Sequence, residues 1–174
     1  MNNYILKIDN LLSKEYCEQI INSFKSKLKK DELNTARNYE YFDIYKDNDY
    51  FQLLDNCFNK MFKEYLKLYT EIQFTENKFT VLEYRFKRFP PGKNYETWHS
   101  EHSIKYPHRI LNFILYLSDH NCGTEFFRDI IINSNCGRGI LFPSYFTHTH
   151  RGIVCPDKKD RYIITGYLTF INDV

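Results

Sequence analysis

The segment from Arg109 to Leu117 most constrains how this chain can fold, because nearly every side chain in it is apolar. A short apolar run of this kind predicts a strand that is buried on both faces. Period-two patterns of β-branched and aromatic residues predict two further strands, over Phe79–Phe89 and Arg161–Phe170. These three segments indicate a chain organised around a β-sheet.

The rest of the second half of the chain is divided into short elements. Shorter strands are predicted around 124–131 and 138–142, and Pro90, Pro91 and Gly92 end the strand that begins at Phe79. Short strands separated by turn residues, without helices alternating between them, favour a jelly-roll or barrel over a parallel sheet. The predicted fold class is therefore α+β, mainly β.

Two amphipathic helices are predicted ahead of these strands. Apolar residues recur at three-and-four spacing over about 13–29, with Ser13 as N-cap, and again over about 49–71. We interpret both apolar stripes as faces that pack against the outside of the sheet. The polar stretch 31–48 is predicted to be a connection or a substrate-covering loop, and the Phe89–Asn94 loop is a second candidate lid.

Length and composition limit the class of protein. A chain of 174 residues with 43% hydrophobic content predicts one globular domain. A net charge of +2 is too small to indicate a nucleic-acid partner, and the absence of a long apolar run argues against a membrane span. The five cysteines are widely spaced, and no signal peptide is recognised. We therefore expect neither a disulfide framework nor a cysteine zinc site, and predict a cytoplasmic location.

Four of the six histidines lie in two short clusters, Trp98–His102 and Thr147–Gly152. Side chains two residues apart on a strand share a face, so His99 and Glu101 are expected to point together, with His102 on the opposite face. One carboxylate and two histidines can hold one face of an Fe(II) ion and leave the other face open. The first cluster thus predicts two ligands of a metal site.

The third ligand is expected from the second cluster. His148 and His150 also lie two residues apart, so the spacing alone does not choose between them. Zinc is the rival metal, but the HExxH signature is absent and Glu101 lies in a segment without helical periodicity. Arg161 follows at the start of the last strand, where it is placed to hold an anionic co-substrate.

Five stretches between about 79 and 171 carry a family resemblance: Tyr95–Glu101, Arg109–Ser118, Cys122–Phe127, Gly139–Gly152 and Arg161–Tyr167. In this order they resemble the prolyl 4-hydroxylase-like group of Fe(II)/2-oxoglutarate-dependent dioxygenases. The resemblance implies a double-stranded β-helix (jelly-roll) core over 77–171, braced by a helical support region over 1–75, within a single domain of 1–174. The first third of the chain matches the group only loosely.

The resemblance also implies a metal site. His99 and Glu101 take the first two iron-ligand positions. His150 is preferred to His148 for the third, because the family's distal histidine is followed by a short loop and then a basic residue. Glu101 stands where many members have Asp, and it keeps the carboxylate that hydroxylation requires.

Further roles follow from the same resemblance. Arg161 is implied to bind the C5 carboxylate of 2-oxoglutarate, with Tyr116 and Thr165 adding hydrogen bonds to that carboxylate. Arg109 opens an inner strand and is the candidate substrate-binding residue. Cys122 and Tyr167 replace a common glycine and a common tryptophan, and we interpret both as packing variants.

The implied activity is C–H hydroxylation with Fe(II), 2-oxoglutarate and O2, and ascorbate is a candidate reductant. A peptide or protein proline is the expected substrate. A free amino acid or another small molecule is the alternative within this enzyme class, favoured by a deep closed pocket rather than an open groove. A non-catalytic jelly-roll binding module and a zinc hydrolase are the alternatives from other classes.

Overall fold

The structure of the chain is a computed structural model that describes residues 3–30, 38–75, 78–127 and 129–171. Within these residues lie helices α1 (Lys14–Phe24) and α2 (Asp49–Leu68) and two short 3-10 helices, Thr70–Phe74 and Phe146–His148. The strands of the described residues are β1 (Leu6–Ile8), β2 (Lys29–Lys30), β3 (Glu40–Ile44), β4 (Phe79–Phe89), β5 (Arg109–Tyr116), β6 (Gly123–Phe126), β7 (Ile130–Asn133), β8 (Gly139–Pro143), β9 (His150–Gly152) and β10 (Arg161–Phe170).

The strands form two antiparallel sheets. The larger sheet has the order β1-β8-β5-β10-β4-β3-β2, and the smaller has the order β7-β6-β9. The predicted strands β4 and β10 have the expected bounds, whereas the segment around 124–131 forms the β6–β7 hairpin instead of one strand. Two facing sheets with helices on the outer side confirm the predicted α+β, mainly β, jelly-roll fold.

Strand β5 is buried on both faces, as its apolar run predicts. On one face, Phe113 packs edge-on against Phe58 of helix α2, with 5.9 Å between ring centroids. On the other face, Ile114 belongs to a second apolar cluster that includes Phe126 of the smaller sheet. The larger sheet therefore separates an outer core shared with the helices from an inner core shared with the smaller sheet.

Both helices end earlier than their periodicity predicts. The predicted N-cap is confirmed, since the Ser13 side chain accepts a hydrogen bond from the Tyr16 amide. Helix α1 ends at Phe24, because Lys29 and Lys30 pair with strand β3 in the sheet. Helix α2 ends at Leu68 and continues as a 3-10 turn. Neither helix combines the length and the apolar character of a membrane span.

The stretch 31–48, predicted to be a loop, is partly a strand. Residues 31–37 lie outside the described residues, but Glu40–Ile44 forms β3 and pairs with β4. Asp43 accepts a 2.6 Å hydrogen bond from Arg85 of β4. Cross-strand pairing therefore overrides the polar composition that led to the loop prediction.

The structure also corrects the expectation about cysteines. Cys122 and Cys155 form a disulfide, with their Cα atoms 4.9 Å apart. Cys122 precedes β6 and Cys155 follows β9, and these two strands are neighbours in the smaller sheet. The pairing of the strands brings together residues 33 positions apart in sequence, which spacing alone could not predict.

Candidate metal and carboxylate-binding site

A cavity of about 190 Å³ lies between the two sheets. The larger sheet lines it with inward-facing residues of β4, β5 and β10, and the smaller sheet lines it with residues of β6 and β9. Residues 94–106, which lie between β4 and β5, close one side. The predicted site residues on its walls are His99, Glu101, Arg109, His150, Arg161 and Thr165.

His99 and Glu101 reach this cavity without lying on the regular strand that the sequence predicts. His99 forms an isolated antiparallel bridge with His150, with N–O distances of 3.0 and 2.9 Å. The Glu101 amide then donates a 3.0 Å hydrogen bond to the Ser144 carbonyl. These backbone bonds, rather than strand periodicity, hold both side chains towards the same point.

The three side chains form a compact group of potential ligands. One donor atom each from His99, Glu101 and His150 lies within 4.8 Å of the others. The His99 Nε2 is 3.6 Å and the His150 Nε2 is 4.0 Å from Oε1 of Glu101. Ligands about 2.1 Å from an ion would lie roughly 3 Å apart on one coordination face, so only a small closure is needed.

Hydrogen bonds select the tautomer of both histidines. The Nδ1 atom of His99 is 2.8 Å from the Thr97 carbonyl, and that of His150 is 3.0 Å from the His148 carbonyl. A carbonyl only accepts hydrogen bonds, so each Nδ1 carries the hydrogen. The Nε2 of the neutral ring then keeps a lone pair that can bind a metal. Both Nε2 atoms face Glu101, which is the arrangement that a metal requires.

The local environment sets the protonation states that metal binding needs. Burial lowers the pKa of His150 to about 4, so its ring is neutral at physiological pH. Burial of the Glu101 carboxyl favours its protonated form, but the adjacent histidines and the Lys87 charge outweigh this effect and hold its pKa well below the usual range. The neutral His150 ring and the Glu101 carboxylate, with the His99 ring beside them, fit a divalent ion.

The other two clustered histidines lie outside this group. His148 is in the 3-10 turn Phe146–His148, and its Nε2 is 2.8 Å from the Asn3 carbonyl. His102 packs against Tyr145, with 4.5 Å between ring centroids. Since His148 is not on a strand, it does not share a strand face with His150.

Arg161 is buried at the other end of the cavity, with 3% of its surface exposed. Its Nη2 donates a 2.6 Å hydrogen bond to the side-chain oxygen of Asn94, and its guanidinium lies 4.6 Å from the centre of the Phe89 ring. Within the described residues it forms no ion pair, and its Nε has no partner. Burial lowers its pKa to about 10, which leaves it charged at neutral pH.

The other two residues with predicted carboxylate contacts differ in position. Thr165 lines the cavity, and its hydroxyl is buried without a partner in the described part of the chain. Tyr116 lies behind the wall and donates a 2.7 Å hydrogen bond to the hydroxyl of Thr124, which does line the cavity. Tyr116 therefore influences the cavity by orienting the Thr124 hydroxyl.

Asn94 is a residue that sequence analysis missed, except as the end of a predicted lid. It is fully buried, and its oxygen accepts from Arg161 while its amide group donates to the Ile153 carbonyl. Any side chain on Gly152 would collide with it. The contact with Arg161 spans 67 positions, so no local signal could reveal it.

Arg109 occupies the opposite end of the cavity from Arg161. Its Nη1 donates a 3.0 Å hydrogen bond to Oε2 of Glu101. Its guanidinium lies 3.8 Å from the centre of the Tyr106 ring and 3.5 Å from that of Tyr167. The structure thus shows Arg109 orienting the carboxylate of the candidate metal group from between two aromatic rings.

No protein-family model and no curated protein matches the sequence. Solved structures do match. The chain resembles a viral collagen prolyl hydroxylase of Paramecium bursaria Chlorella virus-1 in complex with 2OG, at 19% identity and a TM-score of 0.72 over 97% of both chains. A Trichoplax adhaerens prolyl hydroxylase, solved with a hypoxia-inducible-factor peptide, has 16% identity and a TM-score of 0.78 over 97% of this chain and 84% of its own.

A Pseudomonas putida prolyl-4-hydroxylase has 14% identity and a TM-score of 0.73, over 97% of this chain and 94% of its own. At such identities the likeness establishes the fold. The resemblance that the sequence motifs predicted is therefore confirmed at that level: this chain has the prolyl 4-hydroxylase fold.

Proposed function

We propose that this protein is an Fe(II)- and 2-oxoglutarate-dependent dioxygenase that hydroxylates a C–H bond, with a proline of a peptide or protein as its substrate. The observation that carries the proposal is one cavity with a His-Glu-His donor group on its wall and a buried arginine without an acidic partner in the described residues. A zinc hydrolase or a binding module has no need of both features.

His99, Glu101 and His150 would hold the metal, and Arg161 would bind the far carboxylate of 2-oxoglutarate. When bound, iron and 2-oxoglutarate supply the activation of O2, with oxidative decarboxylation of the co-substrate to succinate and CO2. The Nδ1 hydrogen bonds of both histidines keep the Nε2 atoms available to the ion. Thr165 and Thr124 would add hydrogen bonds to the carboxylate that Arg161 binds.

A second cavity supports a peptide substrate over a small molecule. It has a volume of about 290 Å³ and shares three lining residues with the first cavity: Tyr106, Arg109 and Tyr167. These three side chains therefore border both the first cavity and a second, more apolar depression beside it. A second depression next to the candidate site offers room for the rest of a polymer, and one of the structural neighbours was solved with a peptide.

The proposal is tested by loading the purified protein with Fe(II) and measuring succinate formation from 2-oxoglutarate, with ascorbate present and without any other substrate. We expect slow uncoupled turnover that is lost in Arg161→Ala and in His99→Ala. Turnover that persists in either variant would overturn the proposal. A wild type that forms no succinate would favour the binding module, and hydrolytic activity of a zinc-loaded form would favour the zinc enzyme.

A screen of proline-containing peptides then identifies the substrate by the mass of one added oxygen atom. Hydroxylation of free proline or another free amino acid, with no hydroxylation of peptides, would select the small-molecule alternative. The single-domain organisation and the cytoplasmic location expected from the sequence also stay proposals here. Expression of the protein with a fluorescent tag tests the location.

A further inference from the structure

Asn112 is a buried polar residue to which the sequence resemblance assigns no role. It lies on β5 and lines the cavity with 1% of its surface exposed. Neither the oxygen nor the nitrogen of its side-chain amide has a hydrogen-bond partner among the residues that the structure describes. Buried amides are nearly always paired, so an unpaired one that faces a cavity indicates a ligand that pairs with it.

The strand register locates Asn112 within the cavity. It pairs with Tyr167 of β10 on one side and with Phe142 of β8 on the other. The Phe142 ring lies 5.0 Å from that of His150, so Asn112 is close to the candidate metal group. Tyr167 is six positions beyond Arg161 on β10, a separation of about 20 Å. Asn112 therefore lies away from the carboxylate anchor and towards the second cavity.

The chemistry of the amide defines what it can recognise. An asparagine side chain offers one acceptor oxygen and an NH2 donor side by side. In extended backbone, the N–H and C=O of a single residue point in the same direction and can pair with both groups. Proline has no N–H, so the residue recognised in this way cannot be the reacting proline itself.

We propose that Asn112 positions the substrate by hydrogen bonding to the main-chain N–H and C=O of one residue that flanks the reacting proline in an extended peptide. This inference rests on the proposed function and names the part of the substrate to which Asn112 would bind. It makes main-chain recognition, rather than a particular side chain, the basis of selection at this position.

The test uses a blocked alanine peptide with one central proline and a set of versions that are each N-methylated at a single residue. In the wild type, we expect N-methylation at one flanking position to raise KM about tenfold, because one hydrogen bond is lost. Asn112→Leu should raise KM for the parent peptide about tenfold or more and remove the effect of N-methylation at that position. Equal sensitivity of both proteins to N-methylation would overturn the inference.

Two further measurements separate recognition from a structural role. Asn112→Leu removes an unpaired buried amide, so its thermal midpoint should equal or exceed that of the wild type. The fold of the variant is thereby tested independently of its KM. A lower midpoint together with an unchanged KM would mean that Asn112 serves the fold only. Asn112→Ala repeats the test with a smaller side chain, and Asn133→Leu, on the exposed side of β7, is the matched control.

Binding can also be followed without turnover. Trp98 is the one tryptophan of the sequence, and the Arg151 guanidinium at the cavity wall lies 4.5 Å from the centre of its ring. Peptide titrations monitored by its fluorescence should show weaker binding to Asn112→Leu than to the wild type. If no peptide binds the wild type while uncoupled turnover persists, the inference fails and the dioxygenase assignment stands. If uncoupled turnover is absent as well, the proposed function itself fails.

Discussion

Arg109 and Arg161 line opposite ends of one cavity, and their charges are balanced in different ways. Arg109 forms an ion pair of 3.0 Å with Glu101 and packs between two aromatic rings. Arg161 is more deeply buried and donates to neutral groups, the Asn94 side chain and the Gly123 carbonyl. One arginine is balanced within the fold, and the described residues contain no acidic partner for the other.

This difference indicates which end of the cavity is suited to bind an anionic ligand. Burying a charge without a counterion costs several kcal/mol, and a fold retains such a charge where a ligand supplies the counterion. At the Arg109 end, the charge is already paired with the carboxylate of the candidate metal group. This contrast supports the proposal that the Arg161 end anchors the co-substrate and the Arg109 end admits the substrate.

The largest expected effect concerns the metal group between the two ends. His150→Ala should reduce succinate formation to the level of the metal-free protein, because it removes one of three ligands. His148→Ala should retain activity, since the His148 ring is hydrogen-bonded to the Thr147 hydroxyl and the Asn3 carbonyl and lies outside the candidate metal group. Assays of succinate and of bound iron measure both variants. Loss of iron in His148→Ala with retention in His150→Ala would reverse our choice of distal ligand.

The next largest effect distinguishes the roles of Arg109 and Arg161. Arg161→Gln should raise KM for 2-oxoglutarate about 100-fold, the loss expected for a pair of charge-assisted hydrogen bonds. Arg109→Gln should leave that KM nearly unchanged. Initial-rate kinetics with varied 2-oxoglutarate measure both values. A larger increase in Arg109→Gln than in Arg161→Gln would exchange the roles of the two ends.

The pH dependence of the stability of the metal-free protein should include a contribution from the metal end of the cavity. The pKa of His150 is lowered from 6.5 to about 4, so the unfolded chain binds the proton more tightly than the folded chain. The stability contributed by the neutral ring is complete above pH 6.5 and is lost as the pH falls towards 4. The loss amounts to on the order of 3 kcal/mol, whereas Arg161 stays charged throughout.

Urea unfolding at several pH values in the presence of a chelator measures this loss. His150→Gln should show a smaller decrease in the free energy of unfolding between pH 7 and pH 4. A decrease equal to that of the wild type would mean that other groups cause the acid sensitivity. His120, whose pKa burial also lowers, is one such group and provides a second variant to compare.

The smallest expected effect is on metal affinity at the Arg109 end. Arg109→Gln should weaken Fe(II) binding about tenfold, as is typical when the partner of a ligating carboxylate is removed. Arg88→Gln is the matched control, because Arg88 lies on β4 outside the cavity lining and pairs with Glu40. Competition with a metal-sensitive dye measures both affinities. An unchanged affinity in Arg109→Gln would leave Arg109 with a role in substrate binding alone.

Local signals in the sequence were sufficient for much of the fold. The apolar run of β5, the alternation in β4 and β10 and the Ser13 cap each depend on residues close together in the chain, and each is confirmed. The residue types of the candidate site, two histidines, a carboxylate and a later arginine, could also be recognised in order along the chain. Their roles stay predictions until activity is measured.

Features that depend on distant pairing could not be predicted in this way. The polar segment Glu40–Ile44 forms a strand because it pairs with β4. Cys122 lies beside Cys155 because β6 and β9 are neighbours. Asn94 meets Arg161 across 67 positions for the same kind of reason. Such contacts depend on how whole strands and loops pack together. A local sequence pattern does not specify that packing.

The two histidine clusters show which features the sequence determined and which the tertiary structure decided. By itself, the sequence determined that a carboxylate and histidines with the spacing of metal ligands exist, and that His148 and His150 compete for one position. The tertiary structure alone brought His150 beside His99 and Glu101 and turned His148 towards Asn3. The physical reason is the backbone bridge between His99 and His150, a long-range hydrogen-bonded pair that spacing cannot specify.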